Sequence, residues 1–376
     1  MMTLETLCLV LVAACSVWTV LGAVSVLDRV LSLTPAVPRA VLPPVSVLKP
    51  LCGVDPSLEA CLESFFTQDH PDFELVFGVE RADDPALAVV ERLRVRHPAV
   101  RVGVVVGGGL MGNNPKVRNL RAMVPHAAHD LLLISDSNVR APQGYLSALA
   151  ALRAADPSVG IVTNLFVGAG GRGLGSALES VQLAGFCATG VALTNALGDV
   201  SVVGKSMLLS RQELDALGGL ARVADVLAED YVLGKVYQHA GRRVVVSPVV
   251  IENVLGAMTL RDFVRRHLRW AMMRFNLRPF AYAFEVLTSP LAVLPFAWHL
   301  LGGWACVWAA AMLFVRDVIP SLALQGGREL HRPLLFGWLR ELVALSVWAA
   351  APWCRHVSWR GHRVRVGAGT LLFAER

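Results

Sequence analysis

The pattern of apolar and polar positions divides the chain into three stretches. Leu4 to Leu27 is almost uninterrupted apolar sequence. At about 24 residues it is long enough to cross roughly 30 Å of hydrocarbon as a helix. From Val45 to Ile251 the apolar residues fall into short runs separated by helical patterns. Beyond Phe284 the apolar runs lengthen again, as Phe284 to Leu301, Trp304 to Ile319 and Leu334 to Trp353.

The middle stretch predicts alternating strands and helices. Val45 to Leu48, Phe73 to Val79, Val100 to Val106 and Leu131 to Ile134 read as buried strands. Between them Leu58 to Thr67 places Leu58, Cys61, Leu62 and Phe65 on one helical face. Asp83 to Arg96 and Lys116 to Met123 are the next helices, and Gly107-Gly108-Gly109 is a flexible turn. Further on, Val159 to Phe166, Ser201 to Leu209 and Arg242 to Ile251 predict strands, the last closing the sheet. Leu174 to Val191, with a bend at Gly185-Phe186-Cys187, Gln212 to Leu217 and Ala228 to Ala240 predict helices. This alternation predicts an α/β domain, a Rossmann-like, mostly parallel sheet with helices on both faces. Ligands of such sheets bind beyond the carboxyl ends of the strands. Asp83, Asp84, Asp136 and the loop holding Lys116 fall there.

The flanking stretches place the domain. A cleaved signal peptide competes with a retained span at the N-terminus, but only Glu5, and no basic residue, precedes the apolar core. Positive charge follows at Arg29, Arg39 and Lys49, so the downstream domain is expected on the cytoplasmic side. Leu260 to Arg274 is basic and amphipathic, suited to lie along a membrane surface. The first two C-terminal runs predict a hairpin turning at Gly302-Gly303. The third carries Arg340-Glu341 at its middle, a costly pair in hydrocarbon, and is expected at the interface. The expected divisions are a transmembrane helix at 1–30, a cytoplasmic domain at 45–258, an interfacial segment at 259–280, membrane segments at 281–354 and a basic cytoplasmic tail at 355–376.

Composition agrees. Of 376 residues, 17% are charged and 55% hydrophobic, with a mean hydropathy of +0.53. That is too apolar for an ordinary soluble enzyme. The net charge of +6 gathers in Arg261 to Arg278 and Arg355 to Arg365, both beside apolar segments. Anionic lipid headgroups explain it better than nucleic acid, for which no basic run interleaved with aromatics is present. The seven cysteines form no CxxC pair, which excludes a zinc framework and a disulfide scaffold and fits a reducing compartment.

Two motifs carry chemistry within one stretch. Ala228-Glu229-Asp230-Tyr231 offers adjacent carboxylates, and Arg266-His267-Leu268-Arg269-Trp270 offers guanidinium groups ending in an indole. A carboxylate can take a proton from a hydroxyl. Arginines can hold a diphosphate by charge-assisted hydrogen bonds. The plainer readings are a helix start favoured by its macrodipole and a membrane-flanking anchor. Asp136-Ser137-Asn138 could hold Mg²⁺ or Mn²⁺ on oxygen ligands, or simply end a strand in a turn. Asp83-Asp84-Pro85 could cap a helix, contact a nucleotide, or both. Lys116 suits a phosphate, although a solvated lysine is the default. His267 reads as the surface of a basic helix.

As a set, these residues resemble the processive-type GT-A glycosyltransferases, and more narrowly the ceramide glucosyltransferase family, glycosyltransferase family 21, in a bacterial member. Further resemblance lies in Ser46 to Pro56, Asp83-Asp84-Pro85-Ala86 and Asn114-Pro115-Lys116-Val117. The resemblance implies a GT-A catalytic domain with an N-terminal transmembrane helix and C-terminal transmembrane or interfacial helices. Asp84 then matches the first aspartate, which contacts the nucleotide, with Asp83 beside it. Asp136 matches the metal and diphosphate ligand, and Asp230 the catalytic base. Arg266, Arg269 and Trp270 match the (Gln/Arg)-x-x-Arg-Trp motif, and Lys116 aids the diphosphate. Arg118 and Cys187 depart from the family's usual residues.

The implied reaction moves glucose from UDP-glucose to a hydroxyl of a lipid in the bilayer, ceramide first, with inversion to a β-glucosyl lipid and help from Mg²⁺ or Mn²⁺. The implied place is a bacterial inner membrane. The alternatives are a hopanoid acceptor with UDP-N-acetylglucosamine, a processive polysaccharide synthase, for which this chain offers too few spans, and a membrane scaffold or transporter without catalysis.

Overall fold

Alternate residues of the central strands face opposite ways, and this period of two builds both sides of the core. Val47, Leu75, Phe77 and Leu133 pack with Leu62 and Phe65 on one face of the sheet. Their neighbours Leu48, Val76 and Leu132 pack with Val117 and Leu120 on the other. The structure, a computed structural model, describes residues 3–38, 41–55, 57–107, 111–359 and 362–374. Arg39, Pro56, Gly108 and Gly109, which enter the sequence reading above, lie outside the described residues, as do Arg360 and Gly361 of the tail.

The main strands are β1 (Val45–Pro50), β2 (Phe73–Val79), β3 (Arg101–Val106), β4 (Leu131–Ile134), β5 (Val139–Arg140), β6 (Val159–Gly170), β7 (Met207–Ser210) and β8 (Arg243–Leu255). They form one sheet in the order β3-β2-β1-β4-β7-β6-β8-β5. β1 runs parallel to β2 and β4, β2 to β3, and β6 to β8. β7 is antiparallel to both its neighbours, and β5 is antiparallel to β8. The sheet is thus mostly parallel, and a short β5, not β8, forms its edge.

Three segments differ from the sequence reading. The strand expected from Ser201 begins only at Met207, because residues 201–206 form a loop whose backbone is used by side chains. Thr163 accepts from the Val203 N–H at 3.1 Å, and Asp230 accepts from the Gly204 N–H at 2.7 Å. The helix read from Asp83 starts at Ala86, with Asp84 accepting from the Ala86 N–H. The helix from Leu174 passes through a π-turn at Leu183–Cys187, where a bend was expected, and runs on to Ala196.

Among the described residues four helices are long and apolar enough to cross a membrane: Leu4–Leu31, Leu174–Ala196, Trp304–Gln325 and His331–Trp353. The second is mostly enclosed by the chain, as a core helix is. Pro279–Thr288 and Pro290–Leu301 form a fifth candidate together, bent by 56°. Thr3 caps the first helix, and Arg29 near its end donates to the Val246 carbonyl of β8 at 3.2 Å, tying span to sheet. The hairpin turn at Gly302-Gly303 is present, with Gly302 at φ +53°.

Arg340 and Glu341 are buried, at 1% and 2% exposure. They meet Arg316 and Asp317 of the preceding helix: Arg316–Glu341 at 2.6 Å, Arg340–Asp317 at 2.5 Å and Arg340–Glu341 at 2.6 Å. The charges therefore give no reason to lay this helix on the surface, since each is met inside the protein.

The tail is folded as well. His356–Trp359, His362–Val366 and Leu372–Ala374 make an antiparallel sheet. It docks through Val357, Val366 and Leu372 on Leu227, Ala271 and Val347. Leu227 donates its N–H to the Thr370 carbonyl at 2.9 Å, and Leu372 donates to Asp225 at 2.7 Å.

Candidate active site

Four elements bring charged groups to the carboxyl-terminal rim of the sheet. Asp136 follows β4 directly. Lys116 opens the helix Pro115–Met123, whose N-cap Asn114 accepts from the Val117 N–H at 3.1 Å. Glu229 and Asp230 open the helix Glu229–His239, where carboxylates suit the positive end of the macrodipole. Lys205 comes from the loop before β7. Lys116 touches Asp136 at 2.9 Å and Glu229 at 2.9 Å, and Lys205 reaches the other oxygen of Asp136 at 3.3 Å.

Electrostatics divides these carboxylates. Burial opposes the charge on Asp136, but Lys116 and Lys205 outweigh it and hold the carboxyl well below the usual range. Burial likewise opposes the charge on Lys116, yet Asp136, Glu229 and Asp230 together hold it above the ordinary lysine value. Asp230 goes the other way. Burial, then the charge of Glu229, pushes it up to about 6, against the pull of Lys116 and of the Tyr231 and Gly204 N–H groups. Its side chain accepts from those two amides at 2.8 and 2.7 Å. Gly204 makes this approach possible, for a Cβ there would stand 2.8 Å from the Asp230 oxygen. A largely buried carboxylate whose pKa is raised to about 6 is suited to take a proton.

The Arg266–Trp270 motif lies on the helix Leu260–Leu277, which starts with a capping box of Thr259 and Asp262. Arg266 pairs with Glu179 at 3.2 Å and lies over the Trp270 ring. Arg269 is half-buried on the same helix. His267 is not on the surface. It is 5% exposed and meets Glu179 at 2.6 Å, packed between Phe263 and Trp270. The two sets are electrostatic neighbours: burial lowers the Lys205 pKa, Asp136 opposes, and Arg266 lowers it further.

The structure thus joins Lys116, Asp136 and Asp230 in one cluster and sets the arginine helix beside it through Lys205. Glu229 is 7% exposed and paired with Lys116 at 2.9 Å. Asp84 accepts from the Gly53 N–H at 3.0 Å as well as capping its helix, which fixes the loop after β1. Asp83 is exposed, pairs with Arg81 and stands apart from the cluster.

Two residues escaped the sequence reading, and a third, Lys49, entered it only as a charge flanking the N-terminal span. Lys205 lies in a run that reads as strand. Glu179 is the single charge in an apolar helix, a signal that was available. Lys49 is fully buried under Asp136, donates to its backbone carbonyl at 2.8 Å and sits over the Phe65 ring. Burial pushes its pKa down to about 7.

Known proteins agree with this architecture. The family model "Glycosyl transferase family 21" matches residues 6–372. Ceramide glucosyltransferase 1 of Caenorhabditis elegans is 30% identical over 344 residues, 88% of this chain and 73% of that protein. Ceramide glucosyltransferase 3 of the same organism is 27% identical over 331 residues, 85% of this chain and 72% of that protein. Among solved structures, a mannosyltransferase from Pyrobaculum calidifontis, in complex with GDP-Man and Mn²⁺, superposes with a TM-score of 0.54 at 20% identity, over 93% of this chain and 99% of that one. The shared fold, the match along nearly the whole sequence and the apolar helices at both ends make this membrane protein a member of glycosyltransferase family 21.

Proposed function

We propose that the chain transfers glucose from UDP-glucose to a hydroxyl of a membrane lipid, ceramide foremost, with inversion at the anomeric carbon. The observation that carries this reading is Asp230. It is a carboxylate raised to about 6, beside the cationic groups a diphosphate needs. The names of the curated relatives supply the lipid class.

Asp230 takes the proton of the acceptor hydroxyl as its oxygen attacks the anomeric carbon in line. One displacement with one base inverts α to β. Lys116 and Lys205, with Arg266 and Arg269 behind them, stabilise the charge that gathers on the leaving UDP. Asp84 orders the loop after β1 and is the proposed nucleotide contact, with Asp83 as an outer one. Trp270 and the helix that carries it fix the acceptor side.

A divalent cation, Mg²⁺ or Mn²⁺, would sit at Asp136. Both oxygens of Asp136 face ammonium groups, and among the described residues no three His, Cys, Asp or Glu side chains converge. The donor set therefore fits a cation only where the donor's phosphates complete its shell, the usual arrangement for Mg²⁺. When bound there it would neutralise charge on the diphosphate.

The test is lipid analysis after incubating the purified chain in micelles with UDP-glucose and UDP-N-acetylglucosamine, each with a short-chain ceramide or a hopanoid polyol. A β-glucosyl ceramide supports the reading. An N-acetylglucosaminyl hopanoid as the sole product replaces both donor and acceptor. UDP release from neither donor would leave the chain a non-catalytic membrane protein.

A further inference from the structure

Each oxygen of Asp136 already touches an ammonium group. Lys116 stands 2.9 Å from Oδ1, and Lys205 stands 3.3 Å from Oδ2. A divalent cation at this carboxylate needs an oxygen clear of ammonium, because like charges in contact repel strongly away from bulk water.

The two lysines are held differently. Lys116 also reaches Glu229 at 2.9 Å and donates to the Gly204 carbonyl at 2.9 Å. An ammonium has three protons to donate, and these three contacts use all of them. Lys205 meets Asp136 and the amide oxygen of Asn138 at 3.3 Å each. Both contacts are longer than a close charge-assisted hydrogen bond. The partner it keeps on leaving Asp136 is neutral, but an arriving diphosphate supplies a new anion. The charge of Lys205, a residue 7% exposed, is then not left unpaired. The backbone on either side is fixed. Gly204 donates its N–H to Asp230 at 2.7 Å, and the Ser206 hydroxyl donates to Asn164 at 2.6 Å. Lys205 can therefore swing on its flexible stem while the loop keeps its hold on Asp230.

We infer that Lys205 is a built-in counter-cation of Asp136, and that Lys205 and a divalent cation are alternatives at this carboxylate. The cation enters with the donor's diphosphate, and Lys205 turns from Asp136 to the phosphates as it does. This rests on the proposed transfer from a UDP-sugar and adds to it a regulation of the same site. With no cation present, the two ammonium groups receive the diphosphate themselves, so donor affinity depends little on the metal. Without the lysine, Asp136 and Asn138 become an oxygen pair open to the cation, and donor affinity depends on it strongly.

The experiment measures the Kd for UDP on the full chain in detergent, once in excess chelator and once in Mn²⁺. The ratio of the two values is the coupling between cation and nucleotide. The unmodified chain should show a ratio of a few-fold, and one above about a hundredfold overturns the inference. Lys205→Met keeps the length of the stem and removes the charge, and its ratio should be at least about tenfold larger than that of the unmodified chain. If lysine and cation act independently the ratio is unchanged, and that result overturns the inference. Arg266→Gln separates contact from general field. It removes a cation that neighbours Lys205 but pairs with Glu179. Its ratio should stay near that of the unmodified chain, and a rise as large as in Lys205→Met overturns the inference. Lys205→Gln makes the same test if Lys205→Met fails to fold. An unmodified chain that binds no UDP in either buffer overturns the parent reading. Normal UDP binding with an unchanged ratio in the lysine variants overturns the inference alone.

Discussion

Two of the buried charge clusters among the described residues are built on opposite rules. In the helices Trp304–Gln325 and His331–Trp353, Arg316, Asp317, Arg340 and Glu341 each touch an opposite charge. At the sheet rim Lys116 and Lys205 face Asp136, Glu229 and Asp230, and among the described residues Asp230 has no ion-pair partner. Both clusters use a glycine to let an acid in close. A Cβ at Gly185 would stand 2.4 Å from Asp317, and one at Gly204 would stand 2.8 Å from Asp230. The same packing device therefore serves two ends. Balanced charges in an apolar surrounding lock helices together. A carboxylate left without a cation in contact keeps a proton affinity that chemistry can use.

The largest way to break the comparison is Asp230→Asn. It keeps shape and the capacity to accept hydrogen bonds but removes basicity. The expected loss in transfer rate is about 10²- to 10⁴-fold, with UDP-glucose affinity and melting temperature near those of the unmodified chain. Rates and affinities for Asp230→Asn and Glu229→Gln should be measured side by side. Near-normal turnover in Asp230→Asn together with loss in Glu229→Gln would move the base to Glu229.

The second cluster should answer to stability instead. Asp317→Asn leaves Arg340 partly unpaired, and breaking such a buried pair costs about 3–5 kcal/mol. Exchanging all four residues for apolar ones of similar volume should recover most of that, since buried pairs are often no more stable than good apolar packing. Thermal unfolding in detergent reads both. An Asp317→Asn protein that melts like the unmodified chain would show that these contacts do not hold the helices.

Much of this was legible in the sequence, for reasons that also mark where legibility ends. The strand ends placed Lys116 and Asp136 on one rim because a parallel α/β sheet collects ligand groups there. Contacts made by distant segments were not legible. Arg340-Glu341 looked too costly to bury because its partners Arg316-Asp317 sit in another apolar run; that second pair, of matching charge, was the available signal. His267 looked like a surface residue because Glu179 lies 88 positions away. The alternation of Arg363-Val364-Arg365-Val366 signalled a strand beneath the tail's positive charge. Lys205 was hidden in the apolar run Val202 to Leu209, where only Gly204 hinted at a loop.

A third measurement tests the proton affinity itself. With Asp230 at about 6, the base is mostly ionised at pH 7, half ionised near pH 6 and about one-tenth ionised at pH 5. Transfer should thus be full above pH 7 and fall about tenfold per unit below pH 6. Glu229→Gln removes the like charge that helps raise Asp230, so the acid limb should move to lower pH. A limb that stays in place in Glu229→Gln, or persists in the residual activity of Asp230→Asn, belongs to another group.

The smallest effect separates the clusters by their supports. The membrane cluster is held by its own contacts, whereas the catalytic helix is braced from outside. Thr370, fully buried at φ +61°, accepts from the Ala228 N–H through its hydroxyl at 3.3 Å, one residue before Glu229. The tail's Leu227–Thr370 and Leu372–Asp225 hydrogen bonds hold the same loop. Thr370→Val keeps the branched shape and removes only the hydroxyl, leaving one helix-start amide unpaired, at a cost of about 1–3 kcal/mol. Part of that should appear in the rate, because freedom at Ala228 loosens Asp230 against Gly204. The expected result is a few-fold lower kcat, an unchanged Kd for UDP-glucose and a melting temperature lowered by a few degrees. Thr370→Ser should restore the rate, since it returns the hydroxyl. If Thr370→Val lowers the melting temperature but leaves kcat at the wild-type value, the tail is a structural clamp and the catalytic helix holds its position without it.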